Sequence, residues 1–113
     1  MAIFSNVTYA PQTIGTVDTV VILPLDPTTR EAISKLWISN TGINRITVDF
    51  YVSPDNTSAS GVLAQSLSLG PVEGQPVDAL VGYAVPQNWR IVARADQAGV
   101  EAFISTTQYT EES

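Results

Sequence analysis

With no histidine and no cysteine in the chain, Lys35, the sole lysine, is the one side chain that could activate a serine nucleophile. It falls in an alternating stretch opposite or diagonal to Asp49 in the next one. That placement reads as a cross-strand ion pair on a solvated face rather than a catalytic dyad. Glycoside chemistry needs two carboxyl groups at a set separation. Asp18, Asp26, Asp49, Asp55, Glu73, Asp78, Asp96 and Glu101 fall in turns or on outer strand positions, and no spacing selects a pair. The oxygen-rich segment at Asp55-Asn56 and the turn at Asp96 lack the alternating ligands closed by a glutamate that make a calcium loop. Gly70, Gly74 and Gly82 are isolated and precede no helix, so no phosphate cradle forms. The chain is expected to be no enzyme, with no metal and no cofactor.

Charge restricts partners further. The net charge is −6, and the cations Arg30, Lys35, Arg45, Arg90 and Arg94 are scattered. Phosphate backbones need clustered Lys and Arg, so nucleic acid is not an expected partner. No apolar run approaches the ~20 residues that span a bilayer, so no membrane is expected either. The first residues show no basic stretch followed by a sustained apolar one, and no secretory signal is expected.

Aromatic side chains carry the remaining signal. If Leu36, Ile38, Phe50 and Val52 face the core, then Ile33, Trp37 and Tyr51 face outward beside Lys35, Thr47 and Asp49. An outward Trp–Tyr pair can be covered by the chain's own N-terminal segment, bury against another subunit, or stack on sugar. Trp89 falls on an apolar face and is expected in the core.

Elements of one type must position these residues. Segments rich in Val, Ile, Thr and aromatics alternate with turn clusters, which predicts an all-β fold. Strands are expected at 3–9, 16–23, 32–40, 45–53, 62–69 and 77–85, with at most one helical turn at 27–31, where Thr28 and Glu31 have capping-box spacing. The first pair around Asn40-Thr41-Gly42-Ile43-Asn44 reads as a hairpin. So does the last pair, around Asp96-Gln97-Ala98-Gly99, with Ala95 opposite Val100 and Arg94 opposite Glu101. That register makes Trp89, Ile91, Ala93, Ala95, Val100, Ala102 and Ile104 one apolar face. Val20-Val21-Ile22-Leu23 is apolar on both faces, which implies burial inside the domain or against a neighbour. The expected fold is a single antiparallel β-sandwich of about seven or eight strands, immunoglobulin-like or jelly roll. An N-terminal arm (1–11) carrying Ile3, Phe4, Val7 and Tyr9 precedes the sandwich domain (12–109), and a short acidic tail (110–113) follows. The arm can pair with its own sheet or extend a neighbour's.

Lys35-Leu36-Trp37-Ile38-Ser39-Asn40-Thr41-Gly42 and Thr47-Val48-Asp49-Phe50-Tyr51-Val52 resemble the first hairpin of small β-sandwich accessory virion proteins of tailed bacteriophages. Val85-Pro86-Gln87-Asn88-Trp89-Arg90-Ile91-Val92-Ala93-Arg94-Ala95 and Gly99-Val100-Glu101-Ala102-Phe103-Ile104 resemble their closing hairpin. The resemblance implies a part that decorates or cements the capsid, often as a trimer, or one at the neck or tail. It carries no catalytic residues across. The expectation is a capsid decoration or cement protein that binds the major capsid protein and itself, located in the virion after assembly in the host cytoplasm. A neck or tail protein and a carbohydrate-binding module using Trp37 and Tyr51 are the alternatives. Ile3, Phe4, Val7, Tyr9, Val20, Ile22, Ile33, Trp37 and Tyr51 are the expected interface residues.

Overall fold

The computed structural model describes residues 2–22, 29–86 and 88–111. Among these residues ten strands run in the order β1 (Ala2–Thr8), β2 (Gln12–Ile14), β3 (Thr19–Ile22), β4 (Thr29–Asn40), β5 (Ile46–Ser53), β6 (Val62–Leu69), β7 (Gly74–Pro76), β8 (Ala84–Val85), β9 (Arg90–Ala95) and β10 (Val100–Glu111). One antiparallel sheet has the order β1-β10-β4-β7, with β2 also on β10 and β8 also on β4. The other has the order β3-β9-β5-β6. Counting β1 with β2 and β7 with β8 as interrupted strands, the two sheets have the connectivity of a jelly roll, which decides between the two expected sandwiches.

Consecutive strands therefore lie mostly in opposite sheets, and both expected hairpins are corrected. β4 pairs with β10 and β5 with β9 and β6; β9 pairs with β3 and β5, and β10 with β4. The segments at 41–45 and 96–99 are arches that carry the chain across the sandwich. Alternation nevertheless identified the inward residues: Leu36, Ile38, Ile46, Val48, Phe50, Ile91, Ala93, Ala95, Val100, Ala102 and Ile104 all belong to one buried core. Two apolar faces are satisfied as well by facing one another as by lying side by side. Arg94 consequently stands opposite Asp49, not Glu101, whose carboxylate accepts from Thr13 Oγ1 at 2.9 Å. The true hairpin is β5–β6.

Three bulges shift the alternation where the sequence reads regular. Ser34 is the extra residue of β4, so Ile33 turns inward and is only 1% exposed, against its expected outward position. Val21 is extra in β3, which lets both Val21 and Ile22 enter the core while Val20 lies opposite Val92. Ala64 is extra in β6, so Leu63 lies off the inward face held by Leu67 and Leu69 and is 54% exposed. Of the expected strand at 77–85 only Ala84–Val85 (β8) is strand; residues 77–83 turn between β7 and β8, anchored by buried Val77 and Leu80. No helix occurs among the described residues, and Thr29, Arg30 and Glu31 of the expected helical turn are in β4; residues 27 and 28 lie outside them.

Four sheet-to-sheet crossings meet at one end, at 15–18, 41–45, 70–73 and 96–99, and hydrogen bonds tie them together. Asn40 is fully buried there. Its Nδ2 donates to the carbonyls of Asn44 at 2.7 Å, Gly70 at 3.0 Å and Leu69 at 3.4 Å, and its Oδ1 accepts from Gly42 N at 2.9 Å. Thr41 donates to Gly99 O through both its backbone N (2.8 Å) and its Oγ1 (2.9 Å), and Ala95 N donates to Gly15 O at 3.0 Å. Gly99 has φ +114, a conformation L side chains rarely adopt. Replacing Asn40 by Ala strands buried carbonyls, and is expected to cost about 2–3 kcal/mol. Urea unfolding checks this, with Ser39→Ala, one residue away on the opposite face, expected within ~0.5 kcal/mol of the parent.

Candidate interaction surfaces

Trp37 and Tyr51, the aromatic pair expected on one face, lie on different sheets and point away from each other across the sandwich. Trp37 sits on the outer face of the β1-β10-β4-β7 sheet, opposite Phe103 in β10. The two rings are 38% and 40% exposed. Pro76 flanks Trp37 on the other side, and Gly74 leaves room for the indole: a Cβ there would fall 2.6 Å from Trp37 Nε1. A single Trp37–Tyr51 sugar platform is thereby corrected. The aromatic pair that the topology builds is Trp37–Phe103, invisible to a reading that assigned β10 to a hairpin with β9.

Tyr51 and Val20 belong to the outer face of the other sheet, in one row with Val92 between them. Val92 is fully buried although it points away from the core. The β5–β6 loop, residues 54–61, accounts for this by lying across β9. Arg90 Nη1 donates to Asn56 Oδ1 at 2.6 Å, and Ser58 N reaches Asp18 Oδ2 at 2.9 Å beside β3. Asp55 shapes the loop: its Oδ1 accepts from Thr57 Oγ1 at 2.7 Å, Thr57 N at 2.9 Å and Ser53 Oγ at 3.2 Å. Those bonds, the Thr57 hydroxyl foremost, hold its carboxyl down at about 2. The backbone N–H of Ser58 lowers Asp18 likewise. Asp55 is thus committed to its own loop, and among the described residues no group of three or more carboxylates could hold a metal ion. Lys35 and Asp49 also sit on different sheets, which separates that expected ion pair; Asp49 accepts from Ser66 Oγ at 2.5 Å.

The N-terminal arm pairs with its own chain, β1 against β10 from Ala2↔Glu111 to Thr8↔Ser105. Val7 and Tyr9 are half-buried. Beneath the arm lies a polar node built on Glu31, which is 4% exposed. Its Oε2 accepts from Tyr9 Oη at 2.6 Å, Thr106 Oγ1 at 2.5 Å and Gln108 Nε2 at 3.1 Å. Burial, then the Glu31 bond, raises the Tyr9 pKa, so the phenol stays a donor across the neutral range. Sequence reasoning missed this node: alternation from Leu36 puts Glu31 outward together with Ile33, and the Ser34 bulge turns both inward. Of the remaining expected interface residues, Ile22 and Ile33 are core, and the side chains of Ile3 and Phe4 lie outside the described set.

An apolar groove of about 300 Å³ opens at the β6 side of the sandwich, lined by Val52, Val62, Ala64, Tyr83, Pro86 and Trp89. Trp89, expected in the core, packs against it and also walls this groove.

Three outcomes are expected. Tyr9→Phe removes one donor from Glu31 and costs about 1 kcal/mol, whereas Glu31→Ala leaves three donors without their acceptor. Hydrogen exchange of the Glu31→Ala variant should accelerate at residues 2–8 and 105–111 while 91–95 stay protected. Asp55 ionises more readily in the folded loop than in the unfolded chain. The loop's added stability is therefore complete above the ordinary carboxylate range and is lost as pH falls through about 2. NMR titration of the Asp55 carboxyl and the Thr57 amide should show that midpoint, and Asp55→Asn should abolish it.

No protein-family model and no curated protein matches this chain. Among solved structures it is similar to a chain from Bacillus endospore appendages that form a family of disulfide-linked pili, with 12% identity over 98% of this chain and 89% of that one, at a TM-score of 0.53. It aligns with the crystal structure of PirA at 18% identity over 97% and 93% of the two chains, with a TM-score of 0.41. An alignment with the structure of infectious bursal disease virus Gx strain covers 96% of this chain and 31% of that one, at 9% identity and a TM-score of 0.30. The first likeness shows a shared fold, and the two weaker ones carry no argument.

Proposed function

We propose that this chain is a non-enzymatic building part of a larger protein assembly, and in particular a capsid decoration protein of a tailed phage that binds the major capsid protein and associates with itself as a trimer. The observation that carries this reading is the exposed Trp37–Phe103 pair on the outer sheet face, with Lys35, Ser39, Glu101 and Thr13 around it. Each ring removes about 150–250 Å² from water when covered, enough to anchor an interface. The resemblance in sequence of residues 35–42, 47–52, 85–95 and 99–104 to accessory virion proteins supports the capsid as the site, with neither pair forming a hairpin here. The fold shared with a pilus-forming appendage chain supports a place in an assembled extracellular structure. That appendage is disulfide-linked, whereas this chain has no cysteine, so disulfides do not join its copies.

Trp37→Ala should lower binding to bare capsids by roughly thirtyfold, the ~2 kcal/mol of an aromatic anchor. The isolated subunit should keep its melting temperature within a few degrees. A large loss of stability would assign Trp37 to its own chain. Binding to a glycan panel that vanishes with the substitution would move the protein to carbohydrate recognition.

A further inference from the structure

We infer that copies of this chain join edge to edge, the β1 strand of one copy adding to the β6 strand of the next. This rests on the self-association proposed above and names the surfaces that carry it. β1 and β6 each end a sheet. An edge strand presents unpaired N–H and C=O groups, and monomeric proteins blunt such edges with charge, proline or short length. The other edges are blunted: β7 has three residues, contains Pro76 and lies between Glu73 and Asp78, and β3 follows Asp18 and is bulged at Val21. β1 and β6 have seven and eight residues and no proline.

Charge singles out the same two strands. Residues 1–17 and 56–72 contain no Asp, Glu, Lys or Arg, and these runs hold β1 with β2 and the whole of β6. Two copies that each carry −6 repel, so they approach most easily where the surface is uncharged. Along β6, Val62 and Leu63 are 67% and 54% exposed. Side-chain hydrogen bonds reach its backbone, among the described residues, only at Ser68 and Leu69, and the Gln65 side chain accepts from Ala79 N at 2.9 Å. The groove beside Val62 and Ala64 has room for an apolar side chain of the incoming strand, and that side chain sets its register. The Glu31 node holds β1 on its own β10, so β1 is offered as a firm edge rather than handed over.

The two edges lie on opposite flanks, since β2 packs beside β3 while β6 ends the other side of that sheet. The joint is therefore head-to-tail, and it closes into a ring, a trimer included, or runs on as a chain.

The test is sedimentation velocity on the full chain and two exposed-site variants, Asn6→Glu on β1 and Leu63→Glu on β6, with circular dichroism confirming that each folds. The wild type should self-associate, and each variant alone should do so at least tenfold more weakly. Mixed one to one, the variants should form a heterodimer with wild-type affinity, because one supplies an intact β6 and the other an intact β1. If either variant alone assembles as well as the wild type, or the mixture stays monomeric, the β1–β6 joint is overturned while self-association stands. If the wild type is monomeric at every concentration, both are overturned.

Discussion

The end of the sandwich where the chain changes sheets depends on a buried asparagine. Four crossings converge there, and each brings backbone groups that neither sheet can pair. Asn40 satisfies carbonyls from two of those crossings and the amide of Gly42, while Gly99 and Thr41 clasp two arches. A buried carbonyl without a donor costs about 1–3 kcal/mol, so this set of bonds makes the jelly-roll crossings affordable at one place. With the crossings held, the apolar faces of β4 and β10 lie over those of β5 and β9.

At the other end, β4 and β10 run past the core with twelve residues each, carrying β1 along. The inward positions change there from Leu36 and Ile104 to Glu31, Thr106 and Gln108, and a polar node replaces hydrophobic packing. The molecule is correspondingly long, 51 × 27 × 20 Å. Its surfaces are unequal: one outer sheet face is covered at Val92 by the chain's own 54–61 loop, and the other exposes Trp37 and Phe103. Low charge density, two unblunted edges and an uncovered aromatic pair are costly in a protein that works alone and natural in one that works among copies.

How much was legible can be judged from particular residues. The absence of His and Cys, the all-β class, the inward sets around Ile91 and Ile46, and the turn at 96–99 follow from composition and local alternation. Ile33 was misplaced because one extra residue, Ser34, reverses the alternation, and a bulge leaves no mark in a stretch as regular as residues 32–40. Trp37–Phe103, Glu31–Tyr9 and Arg90–Asn56 join residues distant in the chain, and no spacing rule connects them.

Where the strands are regular, the sequence by itself determined which side chains go inside. A strand's period of two is local, and burial of its apolar face pays whatever the neighbour is. Only the tertiary structure decided which strand that neighbour would be. The arches at 41–45 and 96–99 satisfy the same alternation as hairpins would, and the choice between them is made by contacts remote in sequence. Asn40 reaching Gly70 and Thr41 reaching Gly99 are bonds that exist only once both sheets are in place.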